Sequence, residues 1–301
     1  MRISVVYGGT KEERIPSEKN ARDIAAALDS RGYDTVLIDF KNDIIRTLRD
    51  AGTDAVFLCV QGKGYGDGTL QGILEHENIP FTGSGMRAAS LINDKILCKL
   101  LFDRYGIVTP RWSILHRKEY REGNVSYDDQ GFPFVAKAPT QGGSFGIELI
   151  KSSADIGLIE NVFEFDDPIL LEDYIDGRFY TVGLYESNGG LVTLPVIEGL
   201  DQRIEADGSL ISFTGSYGTR RSELDEKVSA FMMDTARRIF EITGAKGVAR
   251  VDYMVDRENT PYVLEINAVP GLKRSSLMPQ EAAVAGIEYE DMIEDILKAA
   301  L

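Results

Sequence analysis

The sequence predicts an α/β fold that begins with a doubly wound parallel sheet and continues into two α+β subdomains. Short apolar runs alternate with helix-patterned segments over the first 85 residues, which is typical of strands joined by helical crossovers. From about residue 108 the helices give way to short strands separated by turns. A chain of 301 residues is long enough for two or three fused subdomains, and we expect divisions at 1–85, 86–180 and 181–301.

The N-terminal sheet is predicted from three apolar runs and two helical segments. The strands are residues 3–7, 35–39 and 55–60, and the helices are residues 20–30 and 44–50. Ligands of such sheets collect beyond the carboxyl ends of the strands. The turns Gly8-Gly9-Thr10 and Gly62-Lys63-Gly64 follow two of these ends and are therefore candidate binding loops.

The rest of the chain contains helices at both ends and short strands between them. A helix is expected over residues 93–105, before Gly106 and Pro110, and short strands over 108–175. Further strands are expected at 181–185, 192–197, 249–255 and 261–267. An amphipathic helix at 225–243 and an acidic one at 288–301 complete the prediction.

Charge and composition exclude several classes of function. The chain has 33 Lys and Arg against 48 Asp and Glu, a net charge of -15, so it lacks the surplus cations that attract nucleic acid or anionic lipid. Without a leader pattern or a long apolar run, a cytoplasmic location is expected. Cys59 and Cys98 sit among apolar neighbours as packing residues, and His76 and His116 are too far apart for a zinc site.

The most informative group of polar residues lies on two neighbouring predicted strands. Because alternate strand residues share a face, Arg250 and Asp252 point the same way, as do Glu265 and Asn267. Two carboxylates and an amide oxygen are ligands that suit Mg²⁺ when nucleotide phosphates and water complete its shell. The alternative is a solvated sheet face with ordinary ion pairs.

Two further segments have features of a nucleotide site. Lys137 ends a strand and is followed by a glycine-rich connection, 141–146, whose backbone N–H groups could approach phosphate oxygens, although a plain hairpin loop would look similar. Residues 170–177 form an apolar strand that ends in acidic residues, and this segment could contact an adenine ring or be a simple strand end.

In their order and spacing these segments resemble the ATP-grasp superfamily and, within it, the D-alanine:D-alanine ligase family, over essentially the whole chain. Any one matching segment would be weak evidence, but the combination is specific. The matching segments are Tyr7 to Thr10, Gly66 to Gly72, Pro80 to Gly85, Asn93 to Lys95, Lys137 with its glycine loop, Arg250 to Asp252, Glu265 to Asn267, Pro270-Gly271 and Ser276 to Pro279.

The resemblance implies an ATP-dependent ligase that forms an amide bond through an acyl phosphate and serves peptidoglycan synthesis for the cell wall. It implies ATP held between the central and C-terminal subdomains with two Mg²⁺ ions, small amino-acid substrates and a homodimer. Phosphoryl transfer also fits the residues themselves, because it needs positioning and charge stabilisation more than a protein nucleophile.

The resemblance also implies a role for each matching residue. Those for ATP are Lys95 and Lys137 at the phosphates, Ser144 in the glycine loop, and Glu172 and Ile175 at the adenine. Those for metal are Asp252, Glu265 and Asn267. Those for the reaction are Arg250 and the Gly271 backbone, which would stabilise charge on the reacting carboxyl group, Tyr217, which would fix the mobile loop, and Ser276 and Leu277, which would hold the acceptor carboxylate.

The sequence departs from the family around the donor substrate. Ile15 stands where the family has the glutamate that pairs with the donor ammonium, although Glu12 and Glu13 lie nearby and could replace it. Gln61 replaces a histidine and Gly66 an acidic residue. Further departures are Gly143 for the loop serine, Ser216 for the lysine before Tyr217, and Phe179 for the acidic residue at the ribose.

Lys273 and Arg274 add positive charge to the acceptor loop, where the family has small polar residues. We therefore consider a non-standard donor that lacks an α-ammonium group or carries an extra anionic group. Three hypotheses remain open: D-alanyl-D-alanine synthesis, a related ligase that couples or cyclises another amino acid, and a non-catalytic nucleotide-binding sensor or assembly protein.

Overall fold

The computed structural model describes residues 1–9, 14–41, 43–60, 62, 64–123, 127, 130–142, 145–200 and 218–301. The predictions for Thr10, Glu12, Glu13, Gln61, Lys63, Gly143, Ser144, Ser216 and Tyr217 lie outside these residues. Among the described residues, no helix combines the length and the apolar character needed to cross a membrane.

The first sheet is parallel, with β1 (Arg2–Tyr7) between β2 (Asp34–Asp39) and β3 (Ala55–Leu58). Helices α1 (Arg14–Ser30), α2 (Ile44–Asp50) and α3 (Thr69–His76) connect and follow these strands. The core on one face includes α1 residues, and the core on the other includes residues of α2 and α3. The doubly wound arrangement is therefore confirmed, with α1 starting six residues before the predicted residue 20.

Two consecutive helices, α4 (Met86–Asn93) and α5 (Lys95–Tyr105), replace the single helix predicted at 93–105. Asp94 separates them and caps α5, because its carboxylate accepts hydrogen bonds from the N–H groups of Ile96 at 2.9 Å and Leu97 at 3.1 Å. This cap sets the first turn of α5, where Lys95 is the first residue.

The second sheet is antiparallel and has the order β4-β7-β5-β6. Its strands are β4 (Trp112–Leu115), β5 (Phe134–Lys137), β6 (Ile147–Ile150) and β7 (Ile169–Asp173). Helix α6 (Arg117–Glu122), a 3₁₀ turn (Ser153–Leu158) and α7 (Ile159–Phe163) accompany it, and the apolar residues of α7 close its core.

The third sheet is antiparallel, with the order β11-β10-β8-β12-β13 and β9 paired to β8. Its strands are β8 (Gly177–Ser187), β9 (Gly190–Thr193), β10 (Ile197–Gly199), β11 (Thr219–Arg221), β12 (Val248–Asp256) and β13 (Pro261–Asn267). Helices α8 (Glu226–Thr243), α9 (Leu277–Val284) and α10 (Tyr289–Lys298) complete the chain.

Packing between the sheets joins the three predicted subdomains. Residues of α4 and α5 share a core with the third sheet and α8, and α10 shares a core with α1 and β1. The predicted division between residues 180 and 181 falls inside β8. The three-part division stays a prediction, and continuous cores join its parts. Cys59 and Cys98 are free and buried in these cores.

Candidate active site

The alternation of β12 puts its polar residues on the face opposite α8. Val251 and Tyr253 pack into the core shared with α8, so Arg250 and Asp252 point away from it. The strand register sets Arg250 opposite Asn267 and Asp252 opposite Glu265, with a register shift just after Asp252. The four polar side chains are thus neighbours on adjacent strands.

Asp252 is buried and receives hydrogen bonds from three side chains. Arg250 donates from Nε to Oδ1 and from Nη2 to Oδ2, each at 2.7 Å. Asn267 Nδ2 donates to Oδ2 at 3.0 Å, and the Thr181 hydroxyl donates to Oδ1 at 3.1 Å. Burial raises the pKa of Asp252, and the guanidinium of Arg250 opposes that rise. Arg250 is consequently held rigidly beside the carboxylate.

Glu265 is paired with Lys95, at the start of α5. Lys95 Nζ lies 3.1 Å from Glu265 Oε2 and donates at 2.7 Å to the carbonyl of Gln141, in the glycine-rich connection. Burial would raise the pKa of Glu265, but the charges of Lys95 and Lys137 lower it. Lys95 therefore links α5, β13 and the connection after β5.

Lys137 and Lys99 both pair with Glu172. In the second sheet Val135 lies opposite Glu172, and Lys137 is two residues along on the same face. Lys137 Nζ contacts Glu172 Oε2, and Lys99 Nζ, from α5, contacts Oε1. Burial works against the charged carboxylate, yet Lys137 and Lys99 lower the pKa of Glu172 to about 2. The Glu172 carboxylate thus binds two cations. Any adenine contacts near this strand would come from the backbone and from the half-buried Ile175.

The acceptor loop is tightly packed around Ser276. A Cβ on Gly271 would lie 2.9 Å from Ser276 Oγ, so a larger residue here would require the Ser276 hydroxyl to move. Ser276 is buried at the residue before α9, and the Leu277 side chain packs against Phe179 and Ile197. Leu277 could therefore meet an acceptor carboxylate only through its backbone N–H, which lies in the first turn of the helix.

The two added cations of this loop have different surroundings. The Lys273 N–H donates at 2.7 Å to Asn20 Oδ1 of α1, and burial followed by the charge of Lys19 lowers the pKa of the Lys273 ammonium. The Arg274 guanidinium pairs with Glu290 and lies 4.3 Å from the ring centre of Tyr289. Arg274 is thus directed to α10, while Lys273 stays a candidate substrate residue.

Ile15, the residue predicted near the donor substrate, lies at the start of α1. Ile15 is the second residue of this helix, and 61% of it is exposed. Ser17, which the sequence analysis missed, is buried. Its hydroxyl donates to the Cys59 carbonyl at 2.7 Å and accepts from the Gly8 N–H at 2.9 Å, so it ties the ends of β1 and β3 together.

Three other important polar residues were not expected: Lys99, Thr181 and Glu281. Lys99 could have been found, because it lies one helical turn after Lys95. Glu281 interrupts an apolar run of α9 and is fully buried, and its Oε2 accepts from the Gly183 N–H at 2.5 Å. Thr181 carries no sequence signal, since only strand pairing brings it to Asp252.

The donor set suits Mg²⁺ bound together with a nucleotide. Asp252 and Glu265 supply two carboxylates opposite each other, and Asn267 supplies an amide beside them. Within the described ranges, no group of three or more His, Cys, Asp or Glu side chains could hold a metal. A metal here would therefore rely on phosphate oxygens and water for the rest of its shell, as Mg²⁺ commonly does.

Comparisons with known proteins agree on one family. The family model described as D-ala D-ala ligase C-terminus matches residues 101–298. The D-alanine–D-alanine ligase of Carboxydothermus hydrogenoformans is 34% identical, with 100% of this chain and 98% of that protein covered. That of Pelotomaculum thermopropionicum is 31% identical, with 100% and 97% covered. The crystal structure of the Bacillus anthracis D-alanine–D-alanine ligase complexed with ATP superimposes with a TM-score of 0.84 at 30% identity, covering 100% of this chain and 97% of that one.

Proposed function

This chain belongs to the D-alanine–D-alanine ligase family of ATP-dependent ligases with the ATP-grasp fold, and we propose that it joins two D-alanine molecules. The observation that carries the proposal is the group formed by Arg250 and Asp252 on β12 and by Glu265 and Asn267 on β13. Arg250 and Asp252 of this group are buried, and Glu265 and Asn267 are half-buried. Such a group has a clear use in phosphoryl and acyl transfer, whereas a non-catalytic sensor has little physical need for it.

In the proposed reaction, a carboxylate oxygen of the donor attacks the γ-phosphoryl group of ATP, and ADP leaves. The amine of the acceptor then attacks the acyl carbon, phosphate leaves with the bonding electron pair, and the nitrogen loses a proton. We propose that Lys95 and Lys137 bind the nucleotide phosphates; the Lys95 ammonium lies beside Glu265, and the Lys137 ammonium lies beside Glu172. Their contribution is charge stabilisation and positioning.

Arg250 is proposed to stabilise the charge that builds up on the reacting carboxyl oxygens. Its two hydrogen bonds to Asp252 fix the plane of the guanidinium before substrate arrives. A cation held in this way needs no reorganisation as charge develops, which makes its effect on the transition state large.

We propose Asp252, Glu265 and Asn267 as the residues that hold Mg²⁺, and two ions are expected from the family resemblance. When bound, Mg²⁺ would neutralise phosphate charge. The protein contributes the carboxylates in place: Glu265 is kept ionised by Lys95, and Asp252 is oriented by Arg250, Asn267 and Thr181.

The proposal is tested by measuring ADP release and the mass of the product with ATP, Mg²⁺ and D-alanine. We expect D-alanyl-D-alanine, and we expect Asp252→Asn to lower kcat at least about 100-fold, as loss of a key electrostatic group does. Asp50→Asn is the matched control, because Asp50 is an exposed residue of α2. Retained activity in Asp252→Asn would refute the site, and ADP release with another amino acid but not with D-alanine would refute the substrate.

The donor ammonium needs a carboxylate that Ile15 cannot provide. We propose that Glu12 or Glu13, which precede α1 in the sequence, takes this role. Glu12→Gln and Glu13→Gln should then be compared with the control Ile15→Ala, and one of the two glutamine variants should raise the KM of D-alanine at the donor subsite. If neither does, a donor without an ammonium group at this place, or with an extra anionic group near Lys273, becomes the better proposal.

The assembly is a proposal from the family resemblance, and the location is a proposal from the sequence pattern. We propose a cytoplasmic homodimer that uses the N-terminal subdomain as its interface. Light scattering coupled to gel filtration should give twice the mass of the 33.3 kDa chain. A monomer mass at micromolar concentration would contradict the dimer.

A further inference from the structure

A buried cluster of one carboxylate and two ammonium groups joins α5 to the second sheet. Glu172 has 2% of its side chain exposed, Lys99 has 1% and Lys137 has 13%. Each lysine takes a different oxygen of the carboxylate. One lysine would be enough to neutralise the charge of Glu172, so the second lysine requires an explanation.

The two lysines are held differently. Lys99 also contacts the Thr109 hydroxyl, which itself donates at 2.7 Å to the carbonyl of Val263 in β13. Lys99 is thus fixed between α5, β7 and β13. Lys137 lies at the end of β5, where the glycine-rich connection begins, and it is the more exposed of the two.

Lys137 also lies near the proposed phosphate site. Its charge acts on Glu265, and Lys95 joins Glu265 to the carbonyl of Gln141 in the connection. A cation at this position can turn from Glu172 to a phosphate oxygen. If Glu172 then had no other partner, a buried carboxylate would lose its counter-charge, which is strongly unfavourable.

We propose that Lys99 is a positioning residue that neutralises Glu172 permanently and so frees Lys137 to bind the nucleotide. Lys137 is the exchangeable partner, and Lys99 acts only through Glu172. The inference rests on the proposed nucleotide site, but it concerns nucleotide affinity and not the identity of the amino acids.

The test measures binding of ADP with Mg²⁺ to the full chain by titration calorimetry. Lys99→Met keeps the length of the side chain and leaves a neutral Lys137–Glu172 pair, so the variant should fold. We expect ADP to bind at least tenfold more weakly, because Lys137 stays on Glu172. Lys118→Met is the control, since Lys118 is an exposed residue of α6, and its ADP affinity should equal that of the parent protein.

A second variant separates this role from simple packing. In Lys99→Met combined with Glu172→Gln, the carboxylate that retains Lys137 is gone, so ADP affinity should return to within about threefold of the parent value. Thr109→Val removes one contact of Lys99 but keeps its charge, and it should also bind ADP within about threefold. Unchanged affinity in Lys99→Met, or no recovery in the double variant, would overturn the proposal. Normal ADP binding without any dipeptide product would instead refute the proposed reaction alone.

Discussion

Glu281 shows how burial can dominate the charge state of one residue. Its side chain is fully buried, and burial raises its pKa to about 8 despite the opposing charge of Arg250 and the hydrogen bond from the Gly183 N–H. Gly183 makes room for it, because a Cβ there would lie 2.3 Å from Glu281 Oε2. At neutral pH the residue is therefore mainly an uncharged acid.

This protonation makes the stability of the protein depend on pH. In the unfolded chain the Glu281 carboxyl has its ordinary pKa of 4.5, so between about pH 4.5 and 8 the folded protein holds a proton that the unfolded chain has released. The contribution of Glu281 is fully present below pH 4.5 and decreases as pH rises through this window, by at most about 1.4 kcal/mol per pH unit. Urea denaturation of the parent and of Glu281→Gln at pH 5, 6.5 and 8 measures it, and parallel pH dependences would contradict the prediction.

The site residues that the sequence predicts are those whose neighbours are close along the chain or on paired strands. Asp252 and Glu265 follow from strand alternation and one hairpin. Thr181 and Glu281 depend on contacts with Asp252 and Gly183, about 70 and 100 residues away in the sequence. Burial and charge at such positions come from tertiary packing, which periodicity does not describe.

At the scale of elements, the contact between β8 and β12 determines where the site lies. It pairs Thr181 with Asp252 and Gly183 with Arg250 over a register of nine residue pairs. The sequence predicts both strands, but it places the first at 181–185, whereas the strand spans Gly177–Ser187. The pairing begins at Gly177, opposite Asp256.

Gly177 is therefore expected to be sensitive to any side chain. A Cβ at this position would lie 2.1 Å from the carbonyl oxygen of Val255, which is backbone and cannot turn away. We predict that Gly177→Ala lowers the free energy of unfolding by about 2 kcal/mol or more, as overpacking does. Gly157→Ala is the matched control, because nothing lies within 4 Å of its Cβ position. Equal chemical denaturation midpoints for the two variants would contradict this.

At the scale of the whole molecule, a chain with a net charge of -15 gathers cations at one site. Lys95, Lys99, Lys137 and Arg250 are mostly buried and meet carboxylates there. The acidic surplus lies elsewhere, including the polar face of α10. Binding of a nucleotide polyanion thus depends on a few placed cations and not on the overall charge.

The shared core between the two ends of the chain predicts a long-range effect of mutation. Leu297 is fully buried in the core that also contains Ile3 and Leu28. We predict that Leu297→Ala costs about 2 to 5 kcal/mol and lowers amide hydrogen-exchange protection in β1 and α1 as well as in α10. Leu301→Ala is the control, since 56% of Leu301 is exposed. Loss of protection confined to α10 would show that the first sheet is stable without it.

During synthesis on a ribosome, the elements that share this core are made at different times. Strand β1 and helix α1 emerge before α10, which pairs Asp291 with Arg31 and Glu294 with Tyr33. The first sheet cannot complete its core until α10 has been translated, so its apolar face stays uncovered while the intervening residues are made. Chains that terminate early expose this face permanently, which makes incomplete products targets for chaperones and proteases while finished molecules are protected.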